Sequence, residues 1–400
     1  MLTNLIDKEL SRLKNAGLYR NLRLIERKQE PRVNIDGKDV ILLCSNNYLG
    51  LANHPKIKEA AILAIEKYGF GSGASRLVSG NMEPHNELEQ RLARFKGTEA
   101  ALVFNSGYHA NIGIITALAG RGDLIFSDKL NHASIVDACI LSRAEVKRYP
   151  HGDVNALEGL LKKNSELRTP NSKLIITDGI FSMDGDIAPL KELSELADRY
   201  GCMLMVDDAH ATGVLGSNGK GTLEHFGIDN PNPVLRHNGT SIIQMGTLGK
   251  ALGCFGAYAA GSKKLIDYLI NKARSFIYTT SLPPSVCAAS IAAIDIIENE
   301  PQLRQNLWDR VKFFRDGLKN AGLDIMNSET QIIPVLIGKA DKAVQISKNL
   351  LDKGIFVQAI RPPTVPDNTS RLRITLMANH SWDDLEYALE TIKETVANFA

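Results

Sequence analysis

The chain of 400 residues has no run of apolar residues long enough to span a bilayer, so a transmembrane helix is not expected. It holds only five cysteines, at 44, 139, 202, 254 and 287, odd in number and without a C-x-x-C pair. A disulfide or zinc framework is therefore not expected, no metal site is expected, and reduced thiols fit a cytoplasmic protein. Neither sign of charge is in excess: Lys plus Arg is 47, Asp plus Glu is 45, and the net is +2. That balance speaks against nucleic acid or another polyanion as partner. The opening residues, Met1-Leu-Thr-Asn-Leu-Ile-Asp-Lys, lack the long apolar core of a secretory signal. There is no internal repeat and no low-complexity segment. The turn-rich stretch Asn230-Pro-Asn-Pro-Val-Leu-Arg-His-Asn-Gly239 is the one notable insert, spanning about 230–240.

What is present is ordinary for a globular chain: 44% hydrophobic and 23% charged residues. The length exceeds one ordinary core, so two domains are expected. Leu2, Leu5, Ile6, Leu10 and Leu13 recur at helical spacing, an amphipathic N-terminal arm. Residues 32–43 read as a hairpin turning at Asp36-Gly37. A helix over 84–96 stops at Gly97. From residue 100 the pattern alternates between short apolar runs and amphipathic helices. The runs are 100–104, 124–126, 146–149, 173–178, 202–207 and 241–245. Such alternation predicts an α/β protein with a mainly parallel sheet covered on both faces. Past 283 two long helices lead into a smaller β/α/β set, with strands at 332–337, 355–360 and 371–376 and a final helix over 382–399. The expected division is an arm and hairpin over 1–45, a large domain over 46–283 and a small α/β domain over 284–400.

In parallel sheets ligands bind beyond the carboxyl ends of the strands. That rule selects Ser106 to Tyr108, Asp178 to Ser182, Asp207 to His210 and Thr247 to Lys250. Lys250 stands among Gly246, Gly249 and Gly253. A lysine there is either a solvated loop residue or a Schiff-base nucleophile whose amine pKa is lowered by partial burial. The spacing is not that of a nucleotide-hydrolase phosphate loop, because Ala251 replaces the needed hydroxyl residue. The Gly69, Gly71 and Gly73 cluster suggests a dinucleotide turn only weakly, since the required G-x-G-x-x-G after an early strand is absent.

A pyridine-aldehyde cofactor would find each of its needs met at these strand ends. Backbone N–H groups at a helix N-terminus, from Ser106 to Tyr108, suit a phosphate. An aspartate, Asp207, keeps a ring nitrogen protonated. His210 can donate to a phenolic oxygen, Lys250 supplies the amine, and His132 a flat cover. Each residue also has a plain structural reading. Asp207 and Asp208 suit a turn, His132 suits a helix cap, and Ser182 and Thr247 suit loop hydroxyls. Their convergence at successive strand ends favours the functional reading.

The same residues carry a family likeness. Asp207-Asp-Ala-His-Ala-Thr-Gly213 with Gly246-Thr-Leu-Gly-Lys250 resembles the α-oxoamine synthases. So do Ser45-Asn-Asn-Tyr-Leu-Gly50, Asn105-Ser-Gly-Tyr-His-Ala-Asn111, Asp128-Lys-Leu-Asn-His-Ala-Ser134 and Asp178-Gly-Ile-Phe-Ser-Met-Asp-Gly185. The resemblance runs from about Arg20 to the C-terminal helix. It implies the aspartate-aminotransferase fold (fold type I), with pyridoxal 5'-phosphate as cofactor. The implied reaction joins an amino acid to an acyl thioester with loss of CO2. Ala359-Ile-Arg-Pro-Pro-Thr-Val-Pro366 is similar to the branch that uses L-alanine and pimeloyl-CoA or a pimeloyl-carrier protein in biotin synthesis. The glycine-using acetyltransferases are the alternative branch.

Carried over by position, the resemblance implies that Lys250 holds the cofactor covalently and that Asp207 pairs its ring nitrogen. His210 and Ser182 would bond its phenolic oxygen, and His132 would stack on its ring. Gly107, Tyr108 and Thr247 would meet the phosphate and its surroundings. Thr279 and Thr280 match phosphate contacts made from a partner subunit, which implies a homodimer with shared active sites. Asn47 and Arg371 match amino-acid carboxylate contacts, while Arg20 and Thr364 match positions nearer the acyl chain. His132, Asp207 and Lys250 would then be catalytic.

Overall fold

The computed structural model describes residues 2–15, 18–165, 172–228 and 242–399. The turn-rich insert at 230–240 lies outside them. The chain forms two compact units. The smaller comprises Met1–Tyr48, Met183–Gly185 and Gln305–Ala400, and the larger Leu49–Ser182 and Asp186–Arg304. Among the described residues no helix is long and apolar enough to cross a membrane.

The larger unit is built on a seven-stranded sheet. Its order is Ala100–Phe104, Ala257–Gly261, Ile242–Thr247, Met203–Asp207, Lys173–Asp178, Leu124–Asp128 and Glu145–Tyr149. Every neighbouring pair is parallel except the two made by Ala257–Gly261. Side chains alternate between the faces as strand geometry demands. Ile125, Ile176, Met205 and Ile243 enter one apolar cluster with Ile114 and Ile135 from the covering helices. Their neighbours Phe126, Ile175, Leu204 and Ile242 enter another with Leu157, Leu193 and Ala197. Burial on both faces explains why the strands read as near-continuous apolar runs rather than as alternating ones. The carboxyl ends of the parallel strands therefore share one edge of the sheet, and that edge carries the site.

Ala257–Gly261 is not picked out by sequence, because Ala-Tyr-Ala-Ala-Gly has low strand propensity apart from its tyrosine. Tertiary packing decides instead. Tyr258 is fully buried, and its hydroxyl pairs with that of Thr212 at 2.9 Å. Its ring occupies the space that a Cβ at Gly246 would need. Gly253 lies against the Leu51–Ala52 backbone at positive φ. The glycines beside Lys250 thus serve packing first. Gly69 ends the helix Pro55–Tyr68, and a Cβ at Gly69, Gly71 or Gly73 would meet nothing within 4 Å.

The division between units falls inside the helix Gln302–Asn320, later than the expected 283/284. Helix Pro284–Asn299 packs on helices Pro55–Tyr68 and Glu83–Lys96 and so belongs to the larger unit. Arg304 fastens its end, donating to Ile297 O at 2.7 Å and Ser217 O at 2.9 Å. The N-terminal hairpin, expected as a separate piece, belongs to the smaller unit. Arg32–Ile35 pairs with Lys38–Leu42 across Asp36 and Gly37, both at positive φ (52° and 77°). Ile355–Phe356 then adds to it in parallel. The expected single strand over 355–360 is therefore two. Its second half, Gln358–Ile360, pairs with Ser370–Thr375 in another sheet, beside Ile332–Gly338. Val357, fully buried at the switch, preserves the apolar run and hides the break from a sequence reading.

Candidate active site

At the carboxyl edge of the sheet the larger unit encloses a cavity of about 190 Å³. Gly107, Tyr108, His132, Ser182, Asp207, His210, Thr247 and Lys250, all anticipated from sequence, line it. So do Asp178, which the strand-end rule also selected, and Asn111 and Ser134, which that reading gave no role in the site. Most are delivered by a strand end, the turn after it or the first turn of the following helix, while Asn111 lies one turn inside its helix. Ser106 caps the helix Gly107–Leu118, accepting from His109 N at 3.2 Å, and so leaves the N-terminal turn at the cavity wall. A Cβ on Gly107 would come within 2.9 Å of Thr247 Cγ2, so only glycine keeps that corner open.

The polar groups are bonded to one another in a directed way. Asp207 is 4% exposed, and both of its oxygens accept: one from Asn111 Nδ2 at 2.8 Å, the other from Ala209 N at 3.0 Å. Asn111 donates also to Ser134 Oγ at 2.8 Å, and its own Oδ1 is buried without a hydrogen-bond partner. Lys250 Nζ donates to Thr247 Oγ1 at 3.3 Å, and that hydroxyl donates onward to Ala209 O at 3.2 Å. Tyr108 sends its hydroxyl to Asp137 at 2.8 Å.

His132 combines both readings given to it by sequence. It caps the helix Ala133–Ser142, its Nδ1 accepting from Ser134 N at 3.2 Å, and it lines the cavity. Burial lowers its pKa, the charge of Asp207 opposes this, and Lys250 lowers it further. The ring is therefore neutral near pH 7, and with Nδ1 accepting, its proton sits on Nε2. Asp178 lies in register with Asp207 on the adjacent strand. Burial, then the charge of Asp207, drive its pKa well upward, while the His132 N–H at 2.7 Å and Lys250 pull the other way. Asp178 is thereby pushed toward the protonated form.

The remaining expected residues lie elsewhere. Thr279 and Thr280 belong to the larger unit but do not line the cavity. Asn105 Nδ2 holds them, at 3.1 Å to Thr279 Oγ1 and 2.8 Å to Thr280 O. The smaller unit carries the other four. Arg371 is buried, donating to Asp184 Oδ1 at 2.7 Å, Met183 O at 3.2 Å and Thr369 O at 3.0 Å. Asn47 is buried, with its N–H on Ser45 Oγ at 3.1 Å. Arg20 and Thr364 are exposed. Arg361 reaches the N-terminal segment through Tyr19 O at 3.0 Å; burial and the charge of Arg20 lower its pKa.

This donor set fits pyridoxal 5'-phosphate. The cavity joins an amine, a buried carboxylate fixed by two donors, a neutral imidazole, and a helix N-terminus opened by Gly107. These answer respectively an aldehyde, a cationic ring N–H, a flat ring and a phosphate.

Comparisons with known proteins narrow the family. The description "Aminotransferase class I and II" matches residues 38–392. An 8-amino-7-oxononanoate synthase of Geotalea daltonii is 58% identical over 386 residues, 96% of this chain and 95% of its own. That of Geobacter sulfurreducens is 57% identical, covering 97% of each chain. Among solved structures, a serine palmitoyltransferase of Sphingomonas wittichii superposes with a TM-score of 0.90 at 32% identity, covering 99% of this chain and 97% of that one. The 8-amino-7-oxononanoate synthase of Francisella tularensis gives 0.75 at 31% identity, covering 90% and 98%. The chain belongs to the aminotransferase class I and II family, within its α-oxoamine synthase branch.

Proposed function

We propose that the chain condenses L-alanine with a pimeloyl thioester, releasing CO2 and the thiol carrier and forming 8-amino-7-oxononanoate for biotin synthesis. Pyridoxal 5'-phosphate is its cofactor. The observation that carries this reading is the joint presence of Lys250, Asp207 and neutral His132 around one cavity, in a chain 58% identical to an enzyme of that name.

The cofactor, when bound, supplies the electron sink that makes α-carbon carbanion chemistry accessible near neutral pH. The chain's own groups hold it, orient the substrates and move protons. Lys250 provides the tethering amine and, once freed, takes the α-proton of L-alanine; its partner Thr247 at 3.3 Å keeps it near the cavity floor. Asp207, braced by Asn111 and Ala209, keeps the ring nitrogen protonated. His210 and Ser182 serve the phenolic oxygen, and His132 offers an uncharged flat face. Gly107, Tyr108 and Thr247 serve the phosphate end. Asn47 and Arg371 take the amino-acid carboxylate, and Arg20 and Thr364 the acyl end, carried on coenzyme A or a carrier protein.

The working form in this proposal is a homodimer in the cytoplasm, with Thr279 and Thr280 reaching the partner's phosphate. Supporting it, Phe70, Val78 and Tyr278 are 75%, 79% and 71% exposed, large apolar side chains on the segments flanking those threonines. Ser72 and Ser281 bond these segments together, Ser72 Oγ donating to Ser281 O at 3.0 Å.

Product mass spectrometry tests the reading. L-Alanine with pimeloyl-CoA is run beside glycine with acetyl-CoA and L-serine with palmitoyl-CoA. The expected result is the 8-amino-7-oxononanoate mass in the first mixture and no product in the others. Product only in either of the others would keep the cofactor and overturn the substrates.

A further inference from the structure

The chemistry described so far leaves unused a charged histidine outside the cavity. His151 follows the strand Glu145–Tyr149. Its Nδ1 lies 3.1 Å from Asp128 Oδ1 and its Nε2 2.7 Å from Asp186 Oδ2. A carboxylate offers only acceptors, so both ring nitrogens donate and the ring is an imidazolium. Burial opposes that charge, but the hydrogen bonds to Asp128 and Asp186 outweigh it and raise the pKa to about 10. The Phe181 ring packs edge-on against the imidazole, centroids 4.3 Å apart.

Each carboxylate organises a different turn. Asp128 Oδ1 accepts from Leu130 N at 2.8 Å, and Asp128 O from Asn131 N at 3.3 Å, which shapes the turn leading into His132. Its other oxygen accepts from Gly152 N at 2.9 Å. Asp186 closes the turn that carries Ser182: its carbonyl accepts from Phe181 N at 3.1 Å, beside the Ile180–Ile187 bridge. Asp186 Oδ1 is buried with no hydrogen-bond partner. The polar contact given to that carboxylate is His151, through the other oxygen. The further titratable groups near Asp128 are Tyr149, whose hydroxyl burial keeps neutral by pushing its pKa upward, and Asp178, whose pKa is driven upward by burial and the charge of Asp207, with a further push from Asp128.

We propose that His151 is a positioning residue, a two-ended clamp between Asp128 and Asp186 that holds His132 and Ser182 in register at the cavity. The proposal rests on the reading that those two residues serve the cofactor. It predicts that the clamp acts as a unit, so that loss of either end relaxes both turns.

The test uses His151→Gln, Asp186→Asn and the double variant. Pyridoxal 5'-phosphate affinity is measured on the cofactor-stripped chain, the visible circular dichroism band on the loaded enzyme, and kcat and KM with L-alanine and pimeloyl-CoA. His151→Gln is expected to weaken cofactor affinity and lower kcat by about tenfold each, the scale of a sub-ångström misplacement, with the dichroism band reduced. KM for L-alanine should stay within about threefold, and the double variant should be no worse than the more severe single one. Cofactor affinity and kcat within about twofold of the parent, in folded His151→Gln, would overturn the proposal. So would strictly additive losses, or a lowered melting temperature alone. If His151→Gln fails to fold, Asp186→Asn, which preserves volume and leaves the Asp128 bond, carries the same comparison. Cofactor affinity is read without substrate. A parent enzyme inactive on L-alanine and pimeloyl-CoA would therefore sink the substrate assignment and leave the clamp testable.

Discussion

Asp178 and Asp207 end adjacent strands in register, both nearly fully buried, yet their surroundings differ in kind. Asp207 has a side-chain amide and a backbone N–H on its two oxygens. Asp178 faces the charge of Asp207 and is driven toward its neutral form. Burial and a neighbouring like charge both disfavour the ionised form of a carboxyl group. Substitution by asparagine therefore distinguishes them. Asp178→Asn keeps the shape of a protonated carboxyl and an acceptor for the His132 N–H, so turnover should fall by less than about tenfold. Asp207→Asn removes the anion and should slow α-proton exchange of L-alanine in deuterated buffer by more than about a hundredfold. Equal losses from the two substitutions would contradict the division of roles.

At the scale of turns and strands, the site was legible wherever a chemical residue type stood directly at a strand end. Asp207, His210 and Lys250 are of that kind, because a parallel sheet turns strand ends into a shared edge. Asn111 was not, since it lies one turn inside a helix and meets Asp207 only through the packing of that helix on the sheet. Nor was His151, whose partners stand 23 and 35 residues away along the chain. Most helices and strands followed from periodicity, but the helices Pro55–Tyr68 and Lys263–Lys272 were not picked out. The failures came where tertiary packing replaced propensity, at the alanine-rich strand Ala257–Gly261, or where one apolar run serves two sheets, at Val357.

The clamp also has a pH signature at this scale. The His151 pKa is raised from 6.5 to about 10, so the folded chain binds that proton more tightly than the unfolded chain does. Its stabilising contribution is full below about pH 6.5 and is lost as pH rises through about 10. The parent should therefore lose more thermal stability between pH 6.5 and 10 than His151→Gln does, with the two melting curves converging at the alkaline end. Parallel losses in the two proteins would contradict a charged clamp.

At the scale of the whole molecule, likeness of fold and likeness of activity separate. The chain superposes better on serine palmitoyltransferase than on the Francisella tularensis synthase, at nearly equal identity. Its sequence is nevertheless 57–58% identical, across almost their full length, to relatives named 8-amino-7-oxononanoate synthase. A shared sheet and strand-end edge serve the common cofactor chemistry, while the choice of amino acid and acyl chain lies in side chains outside that scaffold. The residues proposed for that choice, Asn47, Arg371, Arg20 and Thr364, belong to the smaller unit, and the cofactor residues to the larger one.

The central claim is that Lys250 carries the cofactor and performs the proton transfer. It is tested most directly by borohydride reduction of the loaded enzyme, followed by peptide mass mapping, with Lys250→Ala in parallel. The predicted result is the pyridoxyl phosphate mass on the peptide containing Lys250 and on no other. Lys250→Ala should take up no label and should form no 8-amino-7-oxononanoate over many turnovers. Label on a different lysine, or sustained turnover by Lys250→Ala, would contradict the account.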